Sequence, residues 1–590
     1  MIKQIVSATV GVAVWAAIAA EGVRPQAELL VSVEFASFSA FQQKVVDLGT
    51  TINNPVVSMM AVPAVQNALT EKFGGFRPDD PMLFLCYGDM PELRRALEVE
   101  SGAMATKAVY PVFLYPCAEG AQKFLENHPE AQKKADGTIE LEDGNVVLFA
   151  ADGRTCAFAK DVASAKRALA DATFSKSAVR PLIRLEVTEP AVGLLADVHQ
   201  KLLQEQSKAV QAGTEPIAAL IASFMKIQQT MGQVQNAKLR TFARLTMSLD
   251  LDETGFVFKG LAPTKPGSSV SPAAGFRLPA GALGALPAGS PLFFAANSWL
   301  TCGIQSEGQY RALVNDLCGV FDSIAACSRE CSPKCAETVK GLCAAGSDLL
   351  KTVPTPAPTD WFVGALGFGP QQEPYLVANG ACAQAPQALE AGSRFNASVA
   401  AIVEKSWPGI LRAQDANLTV NWFRLADVIT EAMGNTPKDR EEAEKVKQVF
   451  AAVVGGSESV IGTKLTTQTS YSSYLGAKGL TPTLSSCESR LAAVLPEVGA
   501  DRPSGVFYMS LYSLVRDNLL PIAVKAVPQK EKEMLQSFQA VLPPAGANGA
   551  LAGASWEDRN GTRWLFRVTK DEIRSIAAAV NAAMAAQAEK

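Results

Sequence analysis

The stretch ADGTIELEDGNVVLFAADGRTCAFAK, residues 135–160, places Asp-Gly at 136–137, 143–144 and 152–153 between alternating or apolar runs. Asp-Gly supplies the positive φ angles of a tight hairpin turn, so the stretch predicts an antiparallel meander. The same grammar recurs in LTMSLDLDETGFVFKGL (245–261) and in ASWEDRNGTRWLFRVT (554–569), where Asn560-Gly561 marks the turn. Such meanders decide for an antiparallel sheet, and the segments between them decide what packs on it.

Working outward, an Xaa-Pro dipeptide opens a strand-like run four times, and each run passes into a helix-like one. Arg24-Pro25 precedes LLVSVEF and a helix near 40–48; Arg180-Pro181 precedes LIRLEV and a helix near 191–203. Leu286-Pro287 precedes PLFFAAN and a helix near 310–326; Arg502-Pro503 precedes VFYMSLY and a helix near 514–526. Proline disfavours helix for its predecessor and suits the entry to an edge strand, which gives the pattern a mechanism. The recurrence predicts a duplicated module. Thr436-Pro437 starts an amphipathic run through Val446, Val449, Phe450 and Val453 that stops at Gly455, with Glu441 and Lys445 paired on its surface. Thr569 and Glu572 form a capping box for a final helix that turns Ile573, Ile576 and Val580 inward.

Residues 262–291 hold 11 Gly or Pro in 30 and divide the chain. The expected fold is α+β: two similar halves, each of antiparallel sheets packed by helices, with a disulfide-rich helical hairpin inserted in the second. The expected organisation is a signal peptide at 1–20, a first module at 21–177, a second at 178–261 completing the first half, and a linker at 262–291. A third module at 292–500, with a cysteine-rich insertion at 302–358, and a C-terminal module at 501–590 follow.

Six cysteines, Cys302, Cys318, Cys327, Cys331, Cys335 and Cys343, crowd into 42 residues of that insertion. In an oxidising compartment bridging is the default. Helices at 310–326 and 336–350, with Pro333 in the turn, would nest the pairs 327–335 and 318–343 about that turn, leaving Cys302 to meet Cys331. The competing reading is a metal site of thiolates, because 327, 331 and 335 have the spacing of structural zinc ligands, although no histidine joins them. Cys86, Cys117 and Cys156 lie in apolar strand-like runs and read as buried free thiols.

The N-terminus carries Lys3, then the apolar run IVSATVGVAVWAAIAA (5–20) ending in small residues. A basic start, an apolar middle and an Ala17-Ile18-Ala19 cleavage site read as a secretory signal peptide. Beyond residue 21 every apolar stretch is broken by Gly, Pro or charge, so no membrane span is expected after cleavage. Export to a periplasmic or extracellular space follows.

The 590 residues contain 48% hydrophobic and 19% charged positions, 54 Lys+Arg against 58 Asp+Glu, and a net charge of −4. There is no basic footprint for nucleic acid. Two histidines in the whole chain exclude sites needing several imidazoles. His128 sits in a polar loop and His199 at a core boundary. Ser223 and Lys226 match a Ser-x-x-Lys motif inside a long helix with no Lys-Thr-Gly after it. Neither GALGAL (281–286) nor GALGFG (364–369) makes a phosphate loop. Asp250, Asp252 and Glu253 read as a hairpin turn. No catalytic, cofactor-binding or metal residue is therefore assigned, and no cofactor is expected.

Two features point to binding. All Trp past the leader, Trp299, Trp361, Trp407, Trp422, Trp556 and Trp564, lie in the second half. The helix at 215–236 aligns Ile217, Leu220, Ile221, Phe224, Met231 and Val234 on one face, which reads as a core face or as the lining of an apolar groove.

The phrases ALPAGSPLFFAAN (285–297) and FAKDVASAKRALAD (158–171), with the order strand, helix, long helix and meander, resemble large exported bacterial proteins that carry a domain of unknown function. The resemblance implies tandem modules and brings no active site. The leading expectation is an exported, soluble, non-enzymatic binding or scaffolding protein whose partner is an envelope protein or ligand. The alternatives are a periplasmic carrier of hydrophobic ligands and a hydrolase using two carboxylates.

Overall fold

Where the sequence places Asp-Gly, the chain turns: Gly137, Gly144 and Gly153 adopt φ of 85°, 77° and 64°. The computed structural model describes residues 27–588 except 54–58, 60–61, 68–74, 76, 100–101, 119, 175–179, 211–215, 329–331, 434–436 and 528. The signal peptide expected at 1–20 lies outside the described residues. The fold is α+β, with antiparallel sheet and packed helices. The chain divides into two compact units, residues 1–198 with 242–266, and residues 199–241 with 267–590.

Unit 1 contains strands β1 (Glu28–Phe35), β2 (Met82–Gly88), β3 (Val109–Pro116), β4 (Gln132–Lys133), β5 (Ile139–Glu140), β6 (Val146–Phe149), β7 (Thr155–Ala159), β8 (Ile183–Val187), β9 (Leu245–Leu251) and β10 (Gly255–Pro263). Their pairings, all antiparallel, give the order β10-β9-β8-β1-β2-β3-β7-β6-β5-β4. The two Xaa-Pro strands of this unit, β1 and β8, are neighbours at its centre, with Val31 opposite Val187. After β8, Thr188 N–H donates to Leu30 O. Three helices of this unit matter below: α1 (Phe38–Thr51), α2 (Gly120–Asn127) and α3 (Val162–Asp171).

Strand alternation gives this sheet two apolar faces. Leu83, Leu85, Tyr87, Val112, Leu114, Ala157 and Ala159 bury one face under α3, through Ala165 and Ala168. Tyr115, Cys117, Val147 and Cys156 bury the other, with Phe124 of α2 over them. Phe124 meets Phe149 and Phe158 edge-on, at centroid separations of 6.1 and 5.9 Å. Ring-to-edge contact of this kind adds roughly 0.5–1.5 kcal/mol per pair beyond the area buried.

Unit 2 contains β11 (Leu292–Asn297), β12 (Trp361–Phe368), β13 (Pro374–Ala381), β14 (Leu411–Gln414), β15 (Asn417–Asn421), β16 (Glu458–Leu465), β17 (Ser470–Ala477), β18 (Gly505–Met509), β19 (Leu551–Asp558) and β20 (Gly561–Thr569). Antiparallel pairing throughout gives the order β20-β19-β18-β11-β12-β13-β17-β16-β15-β14. The Xaa-Pro strands β11 and β18 are again central, with Leu292 opposite Met509, and Ser510 N–H donates to Pro291 O. The segment from 267 to 291 packs onto this unit: Leu286 is fully buried and pairs with Ser485, and Arg277 reaches Asp558 at 2.6 Å.

Helices of unit 2 include α4 (Pro216–Arg240), α5 (Glu307–Cys327), α6 (Pro333–Thr352), α7 (Ala385–Ser406), α8 (Glu488–Val494) and α9 (Lys570–Ala588). Helix α4 buries Val234 but leaves Ile217, Ile221 and Phe224 half exposed, so only its C-terminal half is a core face. Thr569 caps α9 through Glu572 N–H, but the box does not close: the Glu572 carboxylate accepts Tyr512 N–H, Thr569 N–H donates to Ala550 O, and Ile576 and Val580 are exposed rather than inward. The pair Glu441–Lys445 forms at 2.9 Å, and Gly455 ends its helix at φ 79°.

The helical hairpin of the cysteine-rich insertion forms, with Pro333 at the first position of α6, but the bridges 318–343 and 327–335 do not. No described cysteine pair there is at disulfide distance. The reason is register. Phe321 lies against Gly346, Cys318 Sγ points to Ser347 O at 3.9 Å, and Cys343 faces Asp322. Cys318 therefore meets the chain a helical turn beyond Cys343, and neither 318–343 nor 327–335 is aligned for bonding. Cys318 and Cys343 are buried thiols, while Cys327 and Cys335 are half buried at the helix ends. Cys331 and the side chain of Cys302 lie outside the described residues.

Candidate functional site

A cavity of about 360 Å³ opens in unit 2 between α7, the segment following α6 and the outer face of the sheet. Small-molecule sites span roughly 300–1,000 Å³, so this volume suits a compact ligand. The face comes from period-two alternation: Ile461 and Thr463 of β16 and Tyr471 and Ser473 of β17 project to the same side. The roof comes from helical spacing. Ala385, Ala388, Gly392 and Asn396 recur every three or four residues along α7 and, with Leu389 and Ser393 beside them, face the cavity.

The polar groups are few and fixed. Asp360 is 5% exposed, and its two carboxylate oxygens accept the N–H groups of Ala383 at 2.9 Å and Ala357 at 2.8 Å. Asn297 secures the same loop by donating to Pro358 O and Asp360 O, and the Trp299 indole donates to Pro356 O. Thr463 and Ser473 share a hydroxyl hydrogen bond of 2.9 Å, and Asn396 donates to Ala416 O. Burial pushes the Cys382 thiol up, and neighbouring Asp360 adds to the rise while a Gln384 backbone contact opposes it. Burial likewise pushes up the Tyr471 phenol, helped by Cys382 and Asp360.

Both groups therefore stay protonated at neutral pH, the thiol beside the Asp360 carboxylate. A nucleophilic cysteine needs the opposite, a depressed thiol beside a base or cation. The lining holds one carboxylate and neither Lys, Arg nor His. Acid–base cleavage by two converging carboxylates has no second member here. This arrangement can enclose, orient and release a molecule.

No protein-family model matches the chain, and no curated protein or solved structure does. The assignment rests on the geometry alone.

The residues singled out in sequence are used structurally. Ser223 bonds Ser323 at 2.7 Å and Lys226 pairs with Asp316 at 3.2 Å, so the Ser-x-x-Lys motif ties α4 to α5. His128 stacks on Phe124 and bonds Glu130, and His199 is half buried. Asp252 accepts the N–H groups of Thr254 and Gly255 in a hairpin turn, and Asp250 pairs with Lys44 of α1. Among the described residues no His, Cys, Asp or Glu group could hold a metal, and no helix is long and apolar enough to cross a membrane. Sequence reasoning gave Asp360, Cys382 and Tyr471 no role. The available signal was the small-residue run ANGACAQA (378–385), too slight to cover a sheet face.

Proposed function

We propose that the chain is an exported, duplicated, non-enzymatic binding protein whose second unit holds a small, neutral, mostly apolar ligand in the cavity under α7. The duplication is supported by the two strand orders, which coincide when β1 is laid on β11 and each later strand on its successor. Strand-pair registers follow: Val31 and Val187 fall on Leu292 and Met509, and Gly255 falls on Gly561 in the β9–β10 and β19–β20 turns. Those two glycines have φ of 143° and 146°.

One observation carries the binding reading. In that alignment Phe158 falls on Ser473, which lines the cavity, and Phe113 on Ala378 of the paired strand, so aromatic filling in unit 1 gives way to small side chains on this face of unit 2. Well-packed interiors do not leave such volumes without a function or a cost in stability. The lack of any cationic lining residue disfavours an anion, and the protonated thiol, phenol and hydroxyls suit a ligand carrying one or two acceptors.

The test uses the neutral dye N-phenylnaphthylamine and the tryptophan emission of Trp361, which lines the cavity. The wild-type chain is expected to enhance dye emission saturably. Gly392→Leu plugs the cavity, because a Cβ at Gly392 meets nothing within 4 Å, and is expected to weaken the dye at least tenfold while keeping the fold. Equal binding by both chains overturns the reading. Export is tested separately, by sequencing the N-terminus of protein recovered from the envelope fraction; an intact leader overturns that part.

A further inference from the structure

The most pointed unexplained chemistry lies in unit 1, independent of the cavity. Cys117 follows β3 directly, and Cys156 lies on β7, opposite Tyr115. Because side chains alternate, Cys117 shares a face with Tyr115 and is the diagonal neighbour of Cys156. The two sulfurs lie 2.7 Å apart, well inside the separation of non-bonded sulfur atoms. A covalent S–S bond measures about 2.05 Å, so roughly 0.7 Å of closure separates the thiol pair from a bridge. Both residues are almost fully buried, at 3% and 0% exposure, in the aromatic cluster around Tyr115 and Phe124.

We infer that Cys117 and Cys156 are the disulfide-forming pair of this chain, joining β3 to β7 across the meander. The reaction is thiol–disulfide exchange with an external disulfide, either a small-molecule disulfide or the active-site disulfide of an oxidoreductase. One cysteine thiolate attacks the oxidant's S–S bond, forming a mixed disulfide and expelling one thiolate. The second cysteine attacks the mixed disulfide, forming the Cys117–Cys156 bond and expelling the other. The two protein thiols lose two protons and two electrons, and the oxidant becomes two thiols.

Burial sets when this can happen. In the folded chain the Cys156 thiol is held protonated by burial and by the adjacent Cys117, and no oxidant reaches either sulfur. Exchange therefore belongs to the folding chain, before α2 closes over the face. Cys86, on β2, is an internal control: it is buried at 5% exposure, and burial pushes its thiol up to about 12. In the proposed alignment Cys117 falls on Cys382 but Cys156 falls on Tyr471, so unit 2 keeps only one of the two sulfurs.

The full chain is unfolded, refolded in a mixture of oxidised and reduced glutathione, denatured without reductant, alkylated and digested with trypsin. The expected product is peptide 108–123 joined to 155–160, lighter by two hydrogens than the sum of its parts, with Cys86 and Cys382 alkylated. Alkylation of Cys117 and Cys156 to the same extent as Cys86 overturns the inference, and so does a predominant bridge from either to another cysteine. Cys86→Ser is expected to leave the joined peptide in place and Cys156→Ser to abolish it. If Cys156→Ser fails to fold, the wild-type map against Cys86 still decides.

Discussion

The two units differ most on the sheet face beneath the helix that follows β3 in one and β13 in the other. In unit 1 that helix, α2, spans eight residues, and Phe124 drives into Phe149, Phe158 and Tyr115. In unit 2 it is α7, spanning 22 residues, and an Ala/Gly stripe faces Thr463 and Ser473. Across the strands the bulk is rearranged as well as reduced. Tyr115 opposite Cys156 becomes Gly380 opposite Tyr471 in the proposed alignment, and the Tyr471 hydroxyl occupies the space over Gly380. Phe158 and Phe113 have no such replacement. One strand order thus carries a filled face or a hollow one, and the side chains of the face together with the helix over it set the choice.

That contrast can be broken by emptying unit 1. Phe124→Ala is expected to destabilise it by about 3–5 kcal/mol, the usual range for a buried phenylalanine. All six Trp of the described residues belong to unit 2. In a urea titration the far-UV circular dichroism should therefore move ahead of tryptophan emission; coincident unchanged midpoints would sink the assignment of Phe124 as the filling residue.

The proposed duplication is sharpened by treating its two aligned turns alike. Gly255→Ala and Gly561→Ala place a side chain at φ near 145° and should each cost about 1–3 kcal/mol. Costs that differ by more than 1.5 kcal/mol would count against equivalence of the turns. Gly392→Leu should be the opposite of Phe124→Ala: replacing a helical glycine gains up to about 1 kcal/mol while the cavity is lost. A large loss of stability would show that the cavity wall cannot accept the side chain.

The smallest effect concerns pH, where two turn carboxyls of unit 1 and one buried carboxyl of unit 2 have opposite signs. Backbone and hydroxyl donors lower the turn carboxyls Asp136 and Asp152 of unit 1. Their contribution is present above the ordinary aspartate value and lost as pH falls through the lowered one. Burial raises Glu572 of unit 2, against opposing N–H groups of Tyr512 and Leu511. Its contribution is complete below the ordinary glutamate value and is lost as pH rises through the raised one. Glu572→Gln should remove that falling limb from thermal midpoints measured between about pH 4 and 7; an unchanged profile would rule out Glu572 as its source.

Local signals were read correctly from sequence. The Asp-Gly turns and the strands at 183–187 and 505–509 lie within two or three residues of the glycine or proline that announces them, because φ preferences act over that range; Arg24-Pro25 lies outside the described residues, and Pro287 stands five residues before its strand. The α+β class followed. Register between helices did not: the nested cysteine bridges assumed that α5 and α6 cross near Cys327 and Cys335, whereas the fit of Phe321 onto Gly346 moved the match by a turn. The cavity was also illegible. Asp360, Cys382 and Tyr471 come from three separated segments, and what joins them is the pairing of β12 with β13 and of β13 with β17. The close approach of Cys117 to Cys156 depends in the same way on β3 pairing with β7.

The central strand pairs join residues far apart along the chain, Phe35 with Ile183 and Ala296 with Gly505. A ribosome delivers the chain in order, so β1 waits unpaired on that side until β8 emerges, and β11 waits longer for β18. The local meander of β4 to β7 can assemble in the meantime, but neither sheet can close at its middle. Non-local closure of this kind is slow and leaves bare strand edges open to mispairing. Protection of those edges until β8 and β18 emerge is therefore a demand on folding that the finished packing does not display.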